Sequence, residues 1–256
     1  MMHAQDMDTL RVLQVTDPHL FASHEETLRG CATWQSLNDT VDHYLARDWR
    51  ADIVYLTGDL VQDDSREAYR NLRAAIDRLH LPVYLVPGNH DVPRLMAEEL
   101  PDYRNCTTLD AVDWRLIGID TREEGSTSGR IGAAELARLA TLLESAGSRH
   151  VAIFLHHPPV DVDSAWLDGI GLLDRDAFLA VVGRHPAVRL IVFGHVHQVV
   201  DHDAAGLRIV GTPSTGRQFR PRSHEFAIDD RPPAYRRLEL SRAGDVATEI
   251  VWVKDD

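Results

Sequence analysis

Five short apolar runs of this chain end in a cluster of Asp, Asn or His, residue types that often bind metal ions. The clusters are Asp17-Pro18-His19, Gly58-Asp59, Gly88-Asn89-His90-Asp91, His156-His157 and Gly194-His195-Val196-His197. Because open α/β sheets hold ligands at the carboxyl ends of their strands, the clusters are predicted to converge at one sheet edge. Seven of these side chains are enough donors for two metal ions: Asp17, His19, Asp59, Asn89, His156, His195 and His197.

The spacing of these donors suggests how they share the ions. Asp17 and His19 are two residues apart, so if strand geometry continues, both side chains lie on one face and bind one ion. Asp59 follows a glycine, and a single carboxylate at that position can bridge two ions. His195 and His197 repeat the spacing of two, but on a loop their imidazoles can share an ion or turn to neighbouring ions. Oxygen and imidazole donors without thiolate favour manganese, iron or zinc.

Each cluster, taken alone, also has an ordinary structural explanation. A histidine is often a hydrogen-bonded or surface residue, Asn89 after a glycine is typical of a turn, and Asp59 is compatible with a helix cap. Jointly, that interpretation requires five independent loops to place such residues at strand ends, three of them directly after a glycine. The combined pattern therefore favours metal binding.

Composition restricts the class of protein. The chain has 256 residues, of which 44% are hydrophobic and 26% charged, as in an ordinary globular protein, and we expect one domain over residues 1–256. The net charge of −13 argues against a nucleic-acid partner and an anionic membrane surface. Cys31 and Cys106 have no zinc or disulfide spacing and are interpreted as reduced thiols. Without a signal-like start or a long apolar stretch, a cytoplasmic location is predicted.

The elements that must position the clusters alternate between strand and helix. The strand candidates are nearly continuous apolar runs, which favours strands covered by helices on both faces. Helical periodicity lies between them, with Asp64 or Ser65 predicted to cap the second helix and with Gly147 and Gly183 predicted as left-handed residues after the third and fourth. The predicted strands are Val12–Val15, Ile53–Leu56, Val83–Val86, Leu116–Ile119, Val151–Leu155 and Leu190–Phe193, and the helices centre on Leu37–Leu45, Tyr69–Leu79, Leu136–Leu143 and Phe178–Val182.

The chain changes character after Gly206. Strands without good helices are predicted at Leu207–Val210, Tyr235–Leu240 and Val246–Val253, most simply as an antiparallel second sheet. The stretch 213–233 is too long for a turn and is predicted to be a functional or covering loop. Three aromatic residues outside the main strands could stack on a purine or pack in the core, and three arginines of the late loop could contact a ligand or solvent: Trp34, Trp166, Phe219, Arg217, Arg220 and Arg222.

In this order along the chain, the clusters resemble those of the calcineurin-like metallophosphoesterases, from Asp17 to His197. More narrowly, the chain is similar to bacterial class III cyclic-nucleotide phosphodiesterases. This resemblance covers nearly the full length of the chain. The additional segments are Asp17-Pro18-His19-Leu20-Phe21, Thr33-Trp34, Ser164-Ala165-Trp166-Leu167-Asp168 and Thr212-Pro213-Ser214-Thr215. The resemblance implies a four-layer αββα sandwich, two mixed β-sheets packed face to face with helices outside.

The resemblance also implies a division of roles. One ion is held by Asp17, His19, Asp59 and His197, and the other by Asp59, Asn89, His156 and His195, with Asp59 as the bridge. His90 contacts the phosphate and leaving group, and Asp91 hydrogen-bonds to its imidazole. The implied substrate contacts are His19, Asp59, Asn89, His90 and His197. A histidine that only supports Asn89 is the alternative for His90. Gln62 stands where many relatives have an aspartate, at a position that is not a ligand.

These roles lead to an expected function. Two divalent or mixed-valence ions, iron or manganese foremost and zinc next, activate a bridging hydroxide that attacks phosphorus. The expected reaction is hydrolysis of 3′,5′-cyclic AMP to 5′-AMP. The expected oligomeric state is a monomer or homodimer, and the expected binding partner is the small cyclic nucleotide. The alternatives are a phosphodiesterase for glycerophosphodiesters or 2′,3′-cyclic nucleotides, a phosphomonoesterase, and a non-catalytic scaffold. A complete ligand set with His90 argues against the scaffold.

Overall fold

The computed structural model describes residues 8–204 and 206–253 of the chain. Residues 1–7, 205 and 254–256, which belong to the single domain expected from the sequence, lie outside the described residues. The described helices are α1 (Thr33–Leu45), α2 (Arg66–Ile76), α3 (Pro93–Glu99), α4 (Gly132–Glu144), α5 (Ala165–Asp168) and α6 (Arg175–Val182). None of the helices in this part of the chain has the length and apolar character needed to span a bilayer.

Most strands belong to two large sheets. In chain order the strands are β1 (Thr9–Val15), β2 (Thr27–Leu28), β3 (Cys31–Ala32), β4 (Ile53–Thr57), β5 (Val83–Val86), β6 (Arg104–Asn105), β7 (Thr108–Ala111), β8 (Trp114–Gly118), β9 (His150–Phe154), β10 (Val188–Phe193), β11 (Val200–Ala204), β12 (Leu207–Gly211), β13 (Gln218–Phe219), β14 (Ile228–Asp229), β15 (Ala234–Ser241) and β16 (Val246–Trp252). The first sheet has the order β16-β15-β1-β4-β5-β6, and the second has the order β11-β12-β10-β9-β8-β7.

Both sheets are mixed, with parallel strands at the centre. β1, β4 and β5 run parallel, whereas β15 pairs antiparallel with β1. In the second sheet β8, β9, β10 and β12 run parallel, and β7 and β11 are antiparallel edge strands. The six strands predicted before residue 206 are all present, and their buried residues on both faces explain the continuous apolar runs.

Three apolar cores separate four layers. One core lies between the two sheets, where Tyr55 of the first stacks on Phe154 of the second with ring centroids 3.8 Å apart. A second core packs α1, α2 and α3 against the first sheet, and a third packs α4 and α6 against the second. The predicted fold class, a four-layer αββα sandwich of two mixed sheets flanked by helices, is confirmed.

The late strands correct one prediction. They do not form a separate antiparallel sheet, because β12 joins the second sheet beside β10 while β15 and β16 extend the first sheet beside β1. Without the late strands, β1 and β10 would each have one unpaired edge, and β15 and β12 supply the backbone hydrogen-bond partners there. The short strands β13 and β14 pair within the loop 213–233.

The helix ends agree only partly with the predictions. Ser65 caps α2, because its hydroxyl accepts a hydrogen bond from the Ala68 N–H over 3.1 Å. Gly147 has a φ of 66°, the left-handed conformation that was expected. Gly183 does end α6, but its φ of −63° is right-handed, so the prediction for this glycine was wrong. The final turn there needs no left-handed residue, since the Gly183 N–H still bonds to the Leu179 carbonyl.

Candidate dimetal centre

The proposed ligands lie where strands of both sheets end. Asp17 and His19 follow β1, Asp59 follows β4, His156 follows β9 and His195 follows β10. The strand geometry expected to place Asp17 and His19 on one face does not continue. Instead five of the seven residues have a positive φ: Asp17 (53°), His19 (47°), Asp59 (49°), His195 (66°) and His197 (48°). Repeated left-handed residues turn successive side chains into the same space.

Hydrogen bonds between the loops hold these backbone turns. The N–H groups of Asp17 and His19 donate to the carbonyls of Gly58 and Asp59, so the β1–β4 ladder continues past both strands. The His195 N–H donates to the Asp17 carboxylate over 3.1 to 3.2 Å. The His90 N–H donates to Asp59 Oδ1 over 2.9 Å. Each loop is therefore fixed by a ligand residue of another loop.

One group of donor atoms contains Asp17, His19 and His197. The Nε2 atoms of His19 and His197 are 3.2 Å apart. Asp17 Oδ1 lies 3.2 Å from His197 Nε2 and 3.9 Å from His19 Nε2. All three donor atoms lie within 4.8 Å of one another and all three residues are buried. This spacing is compact enough for one ion to contact all of them.

A second group contains His156, His195 and Asp59. His195 Nδ1 lies 3.2 Å from His156 Nε2, and Asp59 Oδ2 lies 3.4 Å from the same nitrogen. Asp59 Oδ2 is also 3.7 Å from His19 Nε2 in the first group. Asp59 is therefore positioned between the two groups, as a bridging carboxylate must be.

Hydrogen bonds of two histidines turn one nitrogen of each ring toward the centre. His156 Nδ1 lies 2.8 Å from the Thr57 carbonyl oxygen, and His197 Nδ1 lies 2.6 Å from the Arg217 carbonyl oxygen. A carbonyl can only accept, so each Nδ1 carries a proton and the Nε2 of each ring faces the centre. The Nε2 lone pair of His156 becomes available to a metal ion when its proton is released. Such outer hydrogen bonds are typical of metal-bound histidines.

An unpaired polar atom provides a further test of metal binding. Among the described residues, Asn89 Oδ1 is buried without a hydrogen-bond partner. An unpaired amide oxygen is costly in a protein interior unless it has a ligand. The compact oxygen and nitrogen donors, the inward Nε2 atoms and the free Asn89 oxygen fit two metal ions.

Burial and neighbouring charges set the protonation states of the metal-free centre. Burial lowers the pKa of His19 to about 4, and burial together with His156 lowers the pKa of His195 to about 3, so both are neutral ligands at pH 7. Burial also opposes a charge on His156, but the Asp59 carboxylate outweighs it and raises the pKa of His156 to about 9. In turn, burial would raise the pKa of Asp59, but the imidazoles, His156 foremost, hold it well below its usual range.

The structure changes the expected role of Asp91. Its carboxylate accepts hydrogen bonds from the Gly88 N–H (2.8 Å), the Leu60 N–H (3.1 Å) and the Tyr69 hydroxyl (3.2 Å). None of its described hydrogen bonds reaches the His90 imidazole, so the predicted Asp91–His90 contact is wrong. Backbone N–H groups of two ligand loops lie nearer to this buried carboxylate. Asp91 instead ties the loop of Asp59 to the loop of Asn89.

His90 lies at the mouth of the centre. Its side chain is only partly buried, and its ring packs edge-on against His19 with centroids 5.0 Å apart. One ring nitrogen lies within 4.8 Å of donor atoms of His19 and Asp59. His90 also lines an adjoining cavity of about 160 Å³. It is therefore placed to reach a group bound beside the centre.

Two contacts from the late loop were not predicted. The Arg217 carbonyl accepts the His197 proton, and the Phe219 ring stacks on the His197 ring with centroids 4.1 Å apart and planes 6° from parallel. A backbone carbonyl has no sequence signature, although Phe219 was a candidate purine-stacking residue. The loop 213–233 thus orients a proposed ligand.

The other candidate aromatic and charged residues separate into different environments. Phe219 and Arg217 line the cavity beside the centre. Trp34 instead stacks on His24, and Trp166 packs edge-on against Phe219. Arg222 lines a different cavity, which opens beside β11.

His157 is not among the proposed ligands or catalytic residues. The structure nevertheless brings its ring within 4.8 Å of the donor atoms of His156 and His195. Its Nδ1 lies 2.8 Å from the Thr121 hydroxyl, whereas its buried Nε2 has no partner among the described residues. In the sequence, only its position directly after the proposed ligand His156 indicates that His157 lies at the centre.

Comparisons with known proteins agree with the fold and the centre. Residues 10–199 match the family model described as calcineurin-like phosphoesterase. The chain is 38% identical over 247 residues to the 3′,5′-cyclic adenosine monophosphate phosphodiesterase CpdA of Vibrio vulnificus, covering 95% of this chain and 90% of the relative. It is 33% identical to the protein of the same name from Escherichia coli, covering 96% and 90%.

A solved structure supports the same relationship at the level of fold. The dimetal phosphatase from Danio rerio is 19% identical and aligns with a TM-score of 0.66, covering 96% of this chain and all of that chain. At this identity the likeness concerns the fold alone. The family match and the relatives at 33–38% identity show that the chain belongs to the calcineurin-like phosphoesterases.

Proposed function

We propose that this protein is a metal-dependent phosphodiesterase that hydrolyses 3′,5′-cyclic AMP to 5′-AMP. The reaction class is supported by one geometric observation: donor atoms from both sheets converge into two groups that share Asp59. The substrate is supported by the relatives named CpdA, which align over nearly the whole chain.

The proposed assignment of ligands follows the two donor groups. Asp17, His19 and His197 would hold one ion and Asn89, His156 and His195 the other, with Asp59 contacting both. Two bound ions would attract the phosphodiester and lower the pKa of coordinated water. Oxygen and imidazole donors without thiolate favour manganese, iron or zinc. Of these we propose iron or manganese first and zinc next.

His90 is the proposed proton donor. Hydrolysis to 5′-AMP breaks the bond between phosphorus and the ribose 3′-oxygen, so that oxygen must gain a proton as it leaves. His90 adjoins His19 at the cavity mouth and can supply the proton, while water adds to phosphorus. Besides His90, the proposed contacts with the substrate are His19, Asp59, Asn89 and His197. Asp91 acts indirectly by holding the two ligand loops.

We also propose that the protein acts in the cytoplasm, because the free thiols of Cys31 and Cys106 support a reducing compartment. A monomer or homodimer is the proposed oligomeric state.

A substrate panel tests the proposal. Metal-loaded protein is incubated with cyclic AMP, 2′,3′-cyclic AMP, glycerophosphocholine and bis(p-nitrophenyl) phosphate, and the products are separated by chromatography. We expect cyclic AMP to turn over fastest among the natural diesters and to give 5′-AMP rather than 3′-AMP. Asp59→Asn is the control, because loss of the shared carboxylate should abolish turnover of every substrate. Faster turnover of glycerophosphocholine would refute the proposed substrate.

A further inference from the structure

The cavity beside the proposed metal centre is lined by two chemically different sets of residues. His19, His90 and His197 belong to the groups of metal-type donors. A second set is apolar, aromatic and cationic: Leu28, Arg29, Arg217, Phe219 and Phe226. Gln62 also lines this cavity. Among the described residues of the lining, none carries a carboxylate, so an anionic ligand meets no acidic side chain there.

Phe226 is the most exposed aromatic part of this wall. Its side chain is 44% exposed, although large apolar side chains are normally covered. The edges of Phe226, Phe219 and Trp166 pack against one another, with centroid distances between 5.1 and 5.5 Å. This packing fixes the ring and leaves part of it uncovered beside the cavity.

Arg29 reaches the same ring from a distant part of the chain. Its guanidinium carbon lies 4.9 Å from the Phe226 ring centroid, in a cation–π contact. Arg29 and Gly30 connect β2 to β3 with φ angles of 51° and 78°, and a tight type I′ turn requires positive values at both central positions. The hairpin therefore presents Arg29 from a rigid turn.

The aromatic wall is connected to the metal centre. Phe219 contacts Phe226 on one side and stacks on the proposed ligand His197 on the other. A ligand that places a phosphate between the donor groups and His90 would direct its remaining part along this wall. A flat, electron-rich ring is the group that an exposed phenyl ring and a neighbouring guanidinium bind best.

We infer that Phe226, supported by Arg29, forms the subsite for the nucleobase. This inference rests on the proposed function, because it assigns a place to the adenine of the same substrate. The base stacks on the uncovered part of Phe226, while Arg29 supports that ring and adds positive charge near the anionic nucleotide. Phe226 thereby contributes to affinity for the nucleotide and takes no part in the chemical step.

Competitive inhibition by two phosphomonoesters, 5′-AMP and ribose 5-phosphate, isolates the contribution of the base. AMP and ribose 5-phosphate carry the same phosphorylated sugar, but only AMP has the adenine. Their inhibition constants are measured against hydrolysis of bis(p-nitrophenyl) phosphate, so the assay does not depend on turnover of cyclic AMP. We expect wild-type protein to bind AMP more tightly than ribose 5-phosphate. Phe226→Ala should reduce that preference about tenfold, within the range expected for loss of a base-stacking ring.

Matched variants separate stacking from general damage. Phe226→Tyr keeps the ring and should keep the preference, whereas Arg29→Gln should reduce it about threefold through loss of the cation–π contact. Leu173→Ala removes another exposed apolar side chain, 52% exposed and outside the cavity lining, and should change neither inhibition constant. The kcat for the aryl diester should stay near the wild-type value in Leu173→Ala, the variant outside the cavity lining.

The outcomes distinguish the two proposals. If Phe226→Ala keeps the wild-type preference for AMP, or wild-type protein has no such preference, the base subsite is wrong even when cyclic AMP is hydrolysed. If the preference depends on Phe226 but cyclic AMP is not hydrolysed, the subsite is supported and the proposed reaction is wrong.

Discussion

The left-handed backbone of five proposed ligands is an unusual concentration of strain. A non-glycine residue in this conformation typically costs about 1–2 kcal/mol, and such residues persist where surrounding contacts fix them. Asp and His tolerate positive φ better than most residues, which suits Asp17 and His195. The hydrogen bonds between loops hold both residues in place. The strain therefore serves to aim side chains from two sheets at one point.

His90→Ala tests the division between metal ligands and the proton donor. Because His90 lies at the mouth of the centre and is not among the seven proposed ligands, we expect the variant to retain about two metal ions per chain. We expect its kcat for cyclic AMP to fall by about 100- to 10,000-fold, the usual contribution of a positioned proton donor. Elemental analysis and steady-state kinetics measure the two quantities.

His202→Ala is the matched control for His90→Ala, because His202 is an exposed histidine on β11. It should behave like wild-type protein in both measurements. Loss of metal from the His90 variant would instead make His90 a structural support for Asn89.

The raised pKa of His156 predicts proton release when metal binds. In the metal-free protein His156 remains protonated below pH about 9, because Asp59 stabilises its charge. A metal ion must displace that proton, whereas His19 and His195 are already neutral. We expect release of about one proton per chain at pH 7.5 and apparent affinity that rises with pH up to about 9. Titration calorimetry in buffers of different ionisation enthalpy measures the released proton.

The same shift has a consequence for stability. Because the folded-state pKa of His156 is raised above 6.5, its stabilising contribution is complete below pH 6.5 and is lost as the pH rises through about 9. Metal-free protein should therefore be less stable to urea at pH 9 than at pH 6.5, because the contribution of His156 is lost between these two values.

For the calorimetric experiment, metal binding without proton release would contradict the assigned pairing of His156 with Asp59.

At the scale of elements, the turn after β4 depends on Gly58. Its φ is 89°, and a Cβ there would lie 2.5 Å from His156 Nδ1 and 2.7 Å from the Gly88 nitrogen. We expect Gly58→Ala to displace His156 and to lower metal content to less than half of the wild-type value. Elemental analysis and thermal unfolding measure the effect.

Gly206→Ala is the control that separates the steric collision expected at Gly58 from the cost of the left-handed backbone conformation. Gly206 has the same φ of 89°, but a Cβ there would meet no atom of the described residues within 4 Å. The substitution should cost about 1–2 kcal/mol for the left-handed conformation and leave metal content unchanged. Equal metal content in both variants would mean that the loops around Gly58 can move apart.

The sequence allowed much of this architecture to be predicted. Continuous apolar runs are a strong signal for buried strands, and each of the six early predictions corresponds to a strand. The edge strand β11 was not predicted, because Val200–Ala204 has two aspartates and a histidine and lacks such a run. The sheet assignment of β15 depends on pairing with β1 across the chain, which no local pattern encodes.

The site was less fully predictable than the strands. Side-chain types at strand ends indicated the donors, but not the left-handed turns that bring them together. Asp91 and Phe226 show the same limitation. The partners of Asp91 are backbone N–H groups of other loops, and Phe226 matters because Arg29 reaches it from a distant hairpin. Both depend on contacts between segments far apart in sequence.

At the scale of the whole molecule, the proposed ions would join the two sheets. Asp17 and Asp59 follow strands of the first sheet, whereas His156 and His195 follow strands of the second. We expect removal of metal by a chelator to lower the Tm, because ligands that bind only the folded state add about 2.7 kcal/mol at 100 times their Kd. Thermal unfolding before and after chelation, and after metal is restored, measures this change.

Asp59→Asn provides the control for the chelation experiment. Without the shared carboxylate its Tm should respond little to chelator or to added metal. An unchanged wild-type Tm, with loss of two ions verified by elemental analysis, would show that the sheets are held together without them.

The pairing of β1 with β15 has a consequence for synthesis of the protein. β1 is a central strand, but the neighbour on one of its sides, Ala234–Ser241, leaves the ribosome long after β1 itself. The backbone of Asp17 also depends on Ser214, which is synthesised much later and whose hydroxyl donates to the Asp17 carbonyl over 2.7 Å. A nascent chain that has not yet reached Ser214 and β15 therefore lacks contacts that hold the loop of the proposed metal centre. We therefore expect catalytic competence only after Ala234–Ser241 has been synthesised and has paired with β1.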